Sequence, residues 1–230
     1  MRYIMRLACL FSGGKDSTFS LYKSLIDGHE VPCLISLHAF NDESMLYHFP
    51  NNTLFKKISE AVEIPVIEKY CHDIKKENEI AELRLSVKEA MDQYSIKGLI
   101  HGTISSRFQL KVFEEISNDL NLKLYSPIWG IEPFSYYNDL IDSGFEIIIT
   151  RVAAQGLDEK WLGRTIDRKN YEMLKKYSKK FKFNITFEGG EAETMVLNCP
   201  IYKKRIKIAK YSLTWDGIRG TFEISDVDLI

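Results

Sequence analysis

Short apolar runs alternate with stretches of helical periodicity through the first 128 residues, and this alternation restricts the fold more than any other feature. Arg6–Phe11, Val31–Leu37, Ile64–Ile67, Lys97–His101 and Lys123–Ile128 read as strands buried on both faces. Helices are expected between them over Asp16–Asp27, Thr53–Val62, Glu77–Tyr94 and Ser106–Leu120. Repeated strand–helix–strand units build a parallel sheet with helices on both faces. Right-handed crossovers then gather the loops at the strands' C-terminal ends on one edge, where open α/β sheets bind ligands. Pro65 lacks an N–H and places its strand at a sheet edge or at a strand start.

Behind Gly130 the pattern changes. Glu132–Gly144 and Asp167–Phe181 read as helices around a strand at Glu146–Thr150. Met195–Leu197, Arg205–Leu213 and Gly220–Ile224 are strand-like. The fold class expected is α/β, a doubly wound, mostly parallel sheet over residues 1–130, followed by a smaller α+β domain over residues 131–230.

Phe11-Ser-Gly-Gly-Lys-Asp-Ser-Thr18 leaves the first strand and opens the first helix. Gly13 and Gly14 can take positive φ and let backbone N–H groups surround an anion, and the helix start adds its own unpaired N–H groups. Ser12, Ser17 and Thr18 offer hydroxyls, and Lys15 a mobile positive charge. Phosphate binding is the functional reading; a plain Gly-Gly turn with an Asp/Ser cap is the structural one. A Walker A loop would place glycine where Cys9 stands and Ser or Thr where Asp16 stands, so it is excluded.

Composition narrows the class. Net charge is −1, which argues against a whole-molecule polyanion binder, although Lys160–Lys210 holds 14 Lys/Arg against 5 Asp/Glu. That basic run is either a docking face or a solvated helix face. Cys9, Cys33, Cys71 and Cys199 stand far apart with no CxxC, as buried free thiols of a reducing cytoplasm would. No apolar run approaches the roughly 20 residues a bilayer span needs, so no membrane partner is expected.

The letters Ser12-Gly13-Gly14-Lys15-Asp16-Ser17 resemble the PP-loop of the ATP pyrophosphatases, which cleave ATP between its α and β phosphates. Three further segments resemble the diphthine–ammonia ligases within that superfamily. They are Gly98 to Gln109, Gly156-Leu-Asp-Glu-Lys-Trp-Leu-Gly-Arg164 and Glu188-Gly-Gly-Glu-Ala-Glu-Thr194. Phe187 stands where that pattern often has glycine, and Ala192 where an aromatic is usual. The resemblance implies an adenine-nucleotide alpha-hydrolase-like sheet and a cytoplasmic enzyme that uses ATP, Mg²⁺ and ammonium. It would amidate diphthine, a trimethylated carboxylate-bearing histidine derivative, on translation elongation factor 2. A homo-oligomer is compatible with the chain, and a nucleic-acid partner is not expected. A PP-loop tRNA-modifying enzyme and a non-catalytic nucleotide-binding protein are the alternatives.

The resemblance also assigns roles. Ser12, Gly13, Gly14, Lys15, Asp16, Ser17 and Thr18 would hold the polyphosphate, with Lys15 stabilising developing charge. Asp16 would orient the loop or reach Mg²⁺, or else cap the helix. The adenine falls at Leu37 and His38, and Gly102, Thr103 and Ile104 approach the nucleotide. Ser105, Ser106 and Gln109 are ribose or α-phosphate candidates. Alternation puts Glu191 and Glu193 on one strand face, where they and Glu188 could deprotonate ammonium, hold Mg²⁺ or bind the quaternary ammonium. Trp129, Tyr136 and Trp161 are cage or core aromatics, and Asp158 with Arg164 is an expected ion pair.

Overall fold

The computed structural model describes residues 3–39, 54–71 and 76–230. Strands β1 (Arg6–Leu10), β2 (Glu30–Ala39), β3 (Val66–Cys71), β4 (Gly98–Ile100) and β5 (Lys123–Tyr125) pair in parallel in the order β3-β2-β1-β4-β5. The order reverses direction between β1 and β4, which opens a crevice at their C-terminal ends. Helices α1 (Lys15–Ile26), α3 (Lys76–Tyr94) and α4 (Arg107–Asp119) make the crossovers of this unit. Ala8, Cys33, Ile35 and Leu99 of the sheet pack with Leu83, Val87 and Ala90 of α3 and with Val112, Phe113 and Ile116 of α4. Cys9 points the other way, its thiol 3.9 Å from the Ser17 carbonyl of α1, so successive β1 residues serve opposite helical layers. β3 is an edge strand that begins at Val66, after Pro65 has given its carbonyl to the Leu34 N–H.

The other sheet is antiparallel. It comprises β6 (Glu146–Val152), β7 (Ala192–Asn198), β8 (Ile206–Trp215) and β9 (Gly220–Leu229) in the order β7-β6-β9-β8. Helix α5 (Pro133–Asp142) starts where the Glu132 carboxylate accepts from the Ser135 N–H. Helix α6 (Arg168–Phe181) starts where Asp167 accepts from the Asn170 N–H. The two C-terminal strands run to Trp215 and Leu229, longer than their apolar runs announce, because most of β8 is exposed.

By contacts the chain divides into two units that do not follow the sequence linearly. Gly13–Lys15 and residues 54–63, which include α2 (Phe55–Val62), group with residues 130–230. All four cysteines are free and buried. Burial pushes the thiols of Cys33 and Cys199 up to about 12 and that of Cys71 to about 11, and raises Cys9 as well.

Candidate active site

At the end of β1 the Phe11 N–H donates to the Ile35 carbonyl at 2.9 Å, and the chain then leaves the sheet. Gly13 takes φ +74°; Gly14 is not in the left-handed region, so one glycine rather than two makes the turn. The Ser17 hydroxyl closes the loop, accepting from the Ser12 N–H at 3.1 Å and pairing with the Ser12 hydroxyl at 3.0 Å. Asp16 is the second residue of α1, so it stands inside the first turn and is not its cap. Thr18 is fully buried and its hydroxyl has no hydrogen-bond partner among the described residues.

Lys15 departs most from expectation. It is 2% exposed, and its Nζ donates to the Thr186 carbonyl at 2.6 Å. The same ammonium lies 5.9 Å from the Tyr136 ring centroid and 5.4 Å from that of Phe187. Its N–H donates to the Thr194 hydroxyl at 3.2 Å, while the Gly13 carbonyl accepts from the Val196 N–H at 3.1 Å. The mobile lysine expected at a phosphate is thus an anchored one. Thr186 and Thr194 hold it, and of these only Thr194 lay within a motif.

The Thr186 carbonyl is itself presented by a tight turn. Asn184 Oδ1 accepts from the Thr186 N–H at 3.0 Å and from its hydroxyl at 2.9 Å. The Glu191 carboxylate accepts from the Asn184 N–H at 3.0 Å and the Gly189 N–H at 2.8 Å. Glu193 instead faces Arg151 at 3.2 Å. The expected convergence of Glu191 and Glu193 is therefore not what forms. β7 begins only at Ala192, so strand alternation does not reach Glu191, which folds back onto the Gly189–Gly190 turn. Phe187 sits at φ +65°, a conformation that costs a side-chain-bearing residue about 1 kcal/mol and explains why glycine suits this position. Its ring is buried against Lys15, which offsets that strain. Glu191→Gln replaces one acceptor oxygen with a donor facing an N–H, and thermal or urea melts should show a loss of about 2 kcal/mol. Unchanged stability would remove Glu191 from this structural role.

β2 continues to Ala39, so Leu37 and His38 lie within the strand and not in a loop. Leu34 faces β3 through its N–H and Ile35 faces β1 through its carbonyl. Main-chain groups alternate, so Leu37 points its N–H and C=O to the β1 side, two residues past the place where β1 ends. His38 is buried and stacked on Tyr70 at 4.9 Å, with its Nε2 3.9 Å from Glu68. It is a packed histidine.

Gly102 follows β4, and a Cβ there would lie 2.6 Å from the Ser17 nitrogen and 2.8 Å from the Asp16 carbonyl carbon. The close approach this glycine permits is to the first turn of α1. Thr103 and Ile104 are buried behind it. The Thr103 N–H donates to His101 Nδ1 at 3.2 Å, which puts a neutral ring's proton on Nε2, 2.7 Å from the Ser126 hydroxyl. The Thr103 hydroxyl donates to Gln109 Oε1 at 3.1 Å, and Ser106 caps α4. Buried His101, unremarked in the sequence, pins this strand end, and Ser106 and Gln109 serve the fold.

Residues 5–124 match the family described as "Diphthamide synthase N-terminal domain", and residues 132–230 match "Diphthamide synthase C-terminal domain". A protein of Danio rerio named diphthine–ammonia ligase is 31% identical over 221 residues, covering 89% of this chain and 86% of its own. One of the same name from Rattus norvegicus is 29% identical over 222 residues, covering 89% and 83%. This chain belongs to the diphthine–ammonia ligase family. It is accordingly an enzyme, an ATP-using ligase of diphthamide biosynthesis. A solved structure titled as a predicted subunit of tRNA methyltransferase from Methanocaldococcus jannaschii aligns with 86% of the chain and 98% of its own, at 18% identity and a TM-score of 0.45. Among the described residues no helix is long and apolar enough to cross a membrane.

In this diphthine–ammonia ligase family member the segment Gly156–Arg164 buries Leu157 and Trp161. Trp161 and Tyr136 are 1% and 0% exposed, which removes both from any aromatic cage; Trp129 is half-buried. The expected ion pair is replaced by two separate contacts. Asp158 accepts from the Lys160 N–H, and the Arg164 guanidinium lies 4.8 Å over the Trp161 ring. The basic run is partly spent on rings too: Lys175 lies 5.3 Å from Tyr171 and Lys179 lies 5.8 Å from Phe134.

Proposed function

We propose that this ligase activates the carboxylate of diphthine on translation elongation factor 2 as an acyl-adenylate and then passes ammonia to it. Residues 1–130 are the ATP-binding part in this reading, and residues 131–230 receive the substrate. The observation that carries it is the loop after β1. There the N–H groups of Ser12 and Lys15 rest on the neutral hydroxyls of Ser17 and Thr194. A phosphate oxygen is a stronger, charge-assisted acceptor for such N–H groups, and the start of α1 favours negative charge. The hydroxyls act as placeholders, and Lys15 exchanges the Thr186 carbonyl for the polyphosphate. The N–H and C=O of Leu37, on the β1 side and beyond the end of β1, suit the hydrogen-bonding edge of adenine.

Asp16, half-buried in the first turn of α1, is one carboxylate at the polyphosphate position, a donor set that fits Mg²⁺ carried in on ATP and not a protein cage. When bound, that ion would neutralise charge on the departing pyrophosphate. The substrate's carboxylate oxygen attacks the α-phosphorus, and the bond to the bridging oxygen breaks as pyrophosphate leaves. Ammonia then attacks the acyl carbon, AMP leaves with the former carboxylate oxygen, and a proton is lost from nitrogen. Glu188, flanking the turn that presents Thr186, is the proposed acceptor of that proton. Glu191 is assigned to holding the turn.

Incubation with ATP, Mg²⁺, ammonium and diphthine-bearing factor should yield AMP and pyrophosphate in equal amounts, with turnover requiring both the factor and ammonium. ADP, or AMP released without the factor, would reject the assignment.

A further inference from the structure

β8 is the outer strand of the antiparallel sheet, paired on one side with β9 and with no described strand on the other. The Asp216 N–H donates to the Arg219 carbonyl at 3.0 Å across the turn that joins the two strands. From this pair back to Tyr211 opposite Ile224 the register runs without a slip. Main-chain direction alternates in an antiparallel pair. Ser212 and Thr214 therefore face β9, and Tyr211, Leu213 and Trp215 aim their N–H and C=O groups at the free edge. Edge strands are ordinarily blunted by lysines or by irregular pairing. The first half of β8 has both, with Lys207, Lys210 and breaks in register on either side of Lys210. The stretch Tyr211–Trp215 has neither a charge nor a proline, and Tyr211 and Leu213 are each 57% exposed. Tyr211 stacks on Phe222 at 4.4 Å, and a Cβ on Gly220 would fall 2.6 Å from Trp215, so both rings rest on β9.

We infer that this edge pairs with the same edge of a second copy of the chain, antiparallel about a two-fold axis at Leu213. The segment Lys210-Tyr-Ser-Leu-Thr-Trp-Asp216 is a palindrome in chemical type. Set against its own reverse, it places Leu213 opposite the partner's Leu213 and Tyr211 opposite the partner's Trp215. Ser212 then meets the partner's Thr214, and Lys210 meets the partner's Asp216. Aromatic pairs, hydroxyl pairs and opposite charges are the cross-strand pairs that stabilise antiparallel sheets. The phase fits as well, because the residues that would meet as hydrogen-bonded pairs, Tyr211, Leu213 and Trp215, are those whose main-chain groups point outward. Asp216 uses Oδ1 on the N–H groups of Ile218 and Arg219 at 2.8 and 2.7 Å, which leaves Oδ2 to the lysine. Moving the axis one residue, to Ser212, would set Lys210 opposite a threonine and Asp216 opposite Ile208, and would break the aromatic pairs. Two four-stranded sheets joined in this way make one continuous sheet of ordinary size. The contact is isologous, so it closes at a dimer. A strand from an unrelated protein needs no such self-match, and this singles out a second copy.

Sedimentation of the full chain between roughly 1 µM and 1 mM should show a monomer–dimer equilibrium. Leu213→Lys sets like charges against each other at the axis and should raise the dimer's dissociation constant by at least roughly tenfold. Circular dichroism and urea melts should stay as in the wild type, because Leu213 is exposed. A pair of cysteines reads the register without relying on that variant. Ser212→Cys combined with Thr214→Cys should give a disulfide-linked dimer under mild oxidation. Ser212→Cys alone should not, since it meets the partner's Thr214. The native cysteines are buried and stay out of the reaction. A wild type that is monomeric throughout, or a dimer that Leu213→Lys leaves unchanged, overturns the pairing. So does a double variant that fails to link, or a single variant that links as readily as the double one.

Discussion

Lys15→Ala should lower AMP formation by at least about a hundredfold and also weaken the fold by about 3 kcal/mol, measured by product assay and urea melts. Both effects follow from one side chain with two partners at different times. Its ammonium is sealed against the Thr186 carbonyl and the rings of Tyr136 and Phe187. Truncation leaves that carbonyl without its donor and a cavity beside two aromatic rings. Lys15→Met separates the two roles. The methionine chain fills the space that alanine empties but still leaves the Thr186 carbonyl without its donor, so stability should fall by about 1–2 kcal/mol, less than in the alanine variant. Activity should be lost as fully as in the alanine variant, because no thioether stabilises a leaving pyrophosphate. A methionine variant that still turned over would make Lys15 a purely structural anchor.

Gly102→Ala should weaken ATP binding by roughly tenfold or more and cost about 1–3 kcal/mol of stability. The added Cβ would lie 2.6 Å from the main-chain nitrogen of Ser17, and a backbone atom cannot swing aside as a flexible side chain can. The first turn of α1 must shift, and with it the Ser17 hydroxyl that accepts from the Ser12 N–H. Calorimetric titration with ATP and a parallel urea melt report both quantities. Wild-type affinity in this variant would show that the strand end and the loop are mechanically independent.

The legible parts of the chain were those set by local pattern. Apolar runs and helical periodicity locate β1 to β5, Pro65 puts β3 at an edge, and the pair of glycines before Lys15 marks the loop. Glu132 and Asp167 begin their helices as capping chemistry requires. What escaped the sequence lies in tertiary partners. Thr186 stands 171 positions from Lys15 and offers a main-chain carbonyl, which every residue possesses and no residue type announces. Alternation misplaces Glu191 because it assumes a strand that includes this residue, and β7 starts one residue later, at Ala192. Trp161 and Tyr136 have the composition of a cage and the burial of a core, and only packing separates the two. His101 sits inside an apolar run, which gives no sign of the Thr103 and Ser126 contacts it makes.

The most direct test labels the diphthine carboxylate on the factor with heavy oxygen and follows the label through a single turnover. Attack on the α-phosphorus carries one labelled oxygen into AMP and leaves the other in the amide, with pyrophosphate unlabelled. Label appearing in inorganic phosphate alongside ADP, or AMP free of label, would show that the carboxylate is not activated as an adenylate.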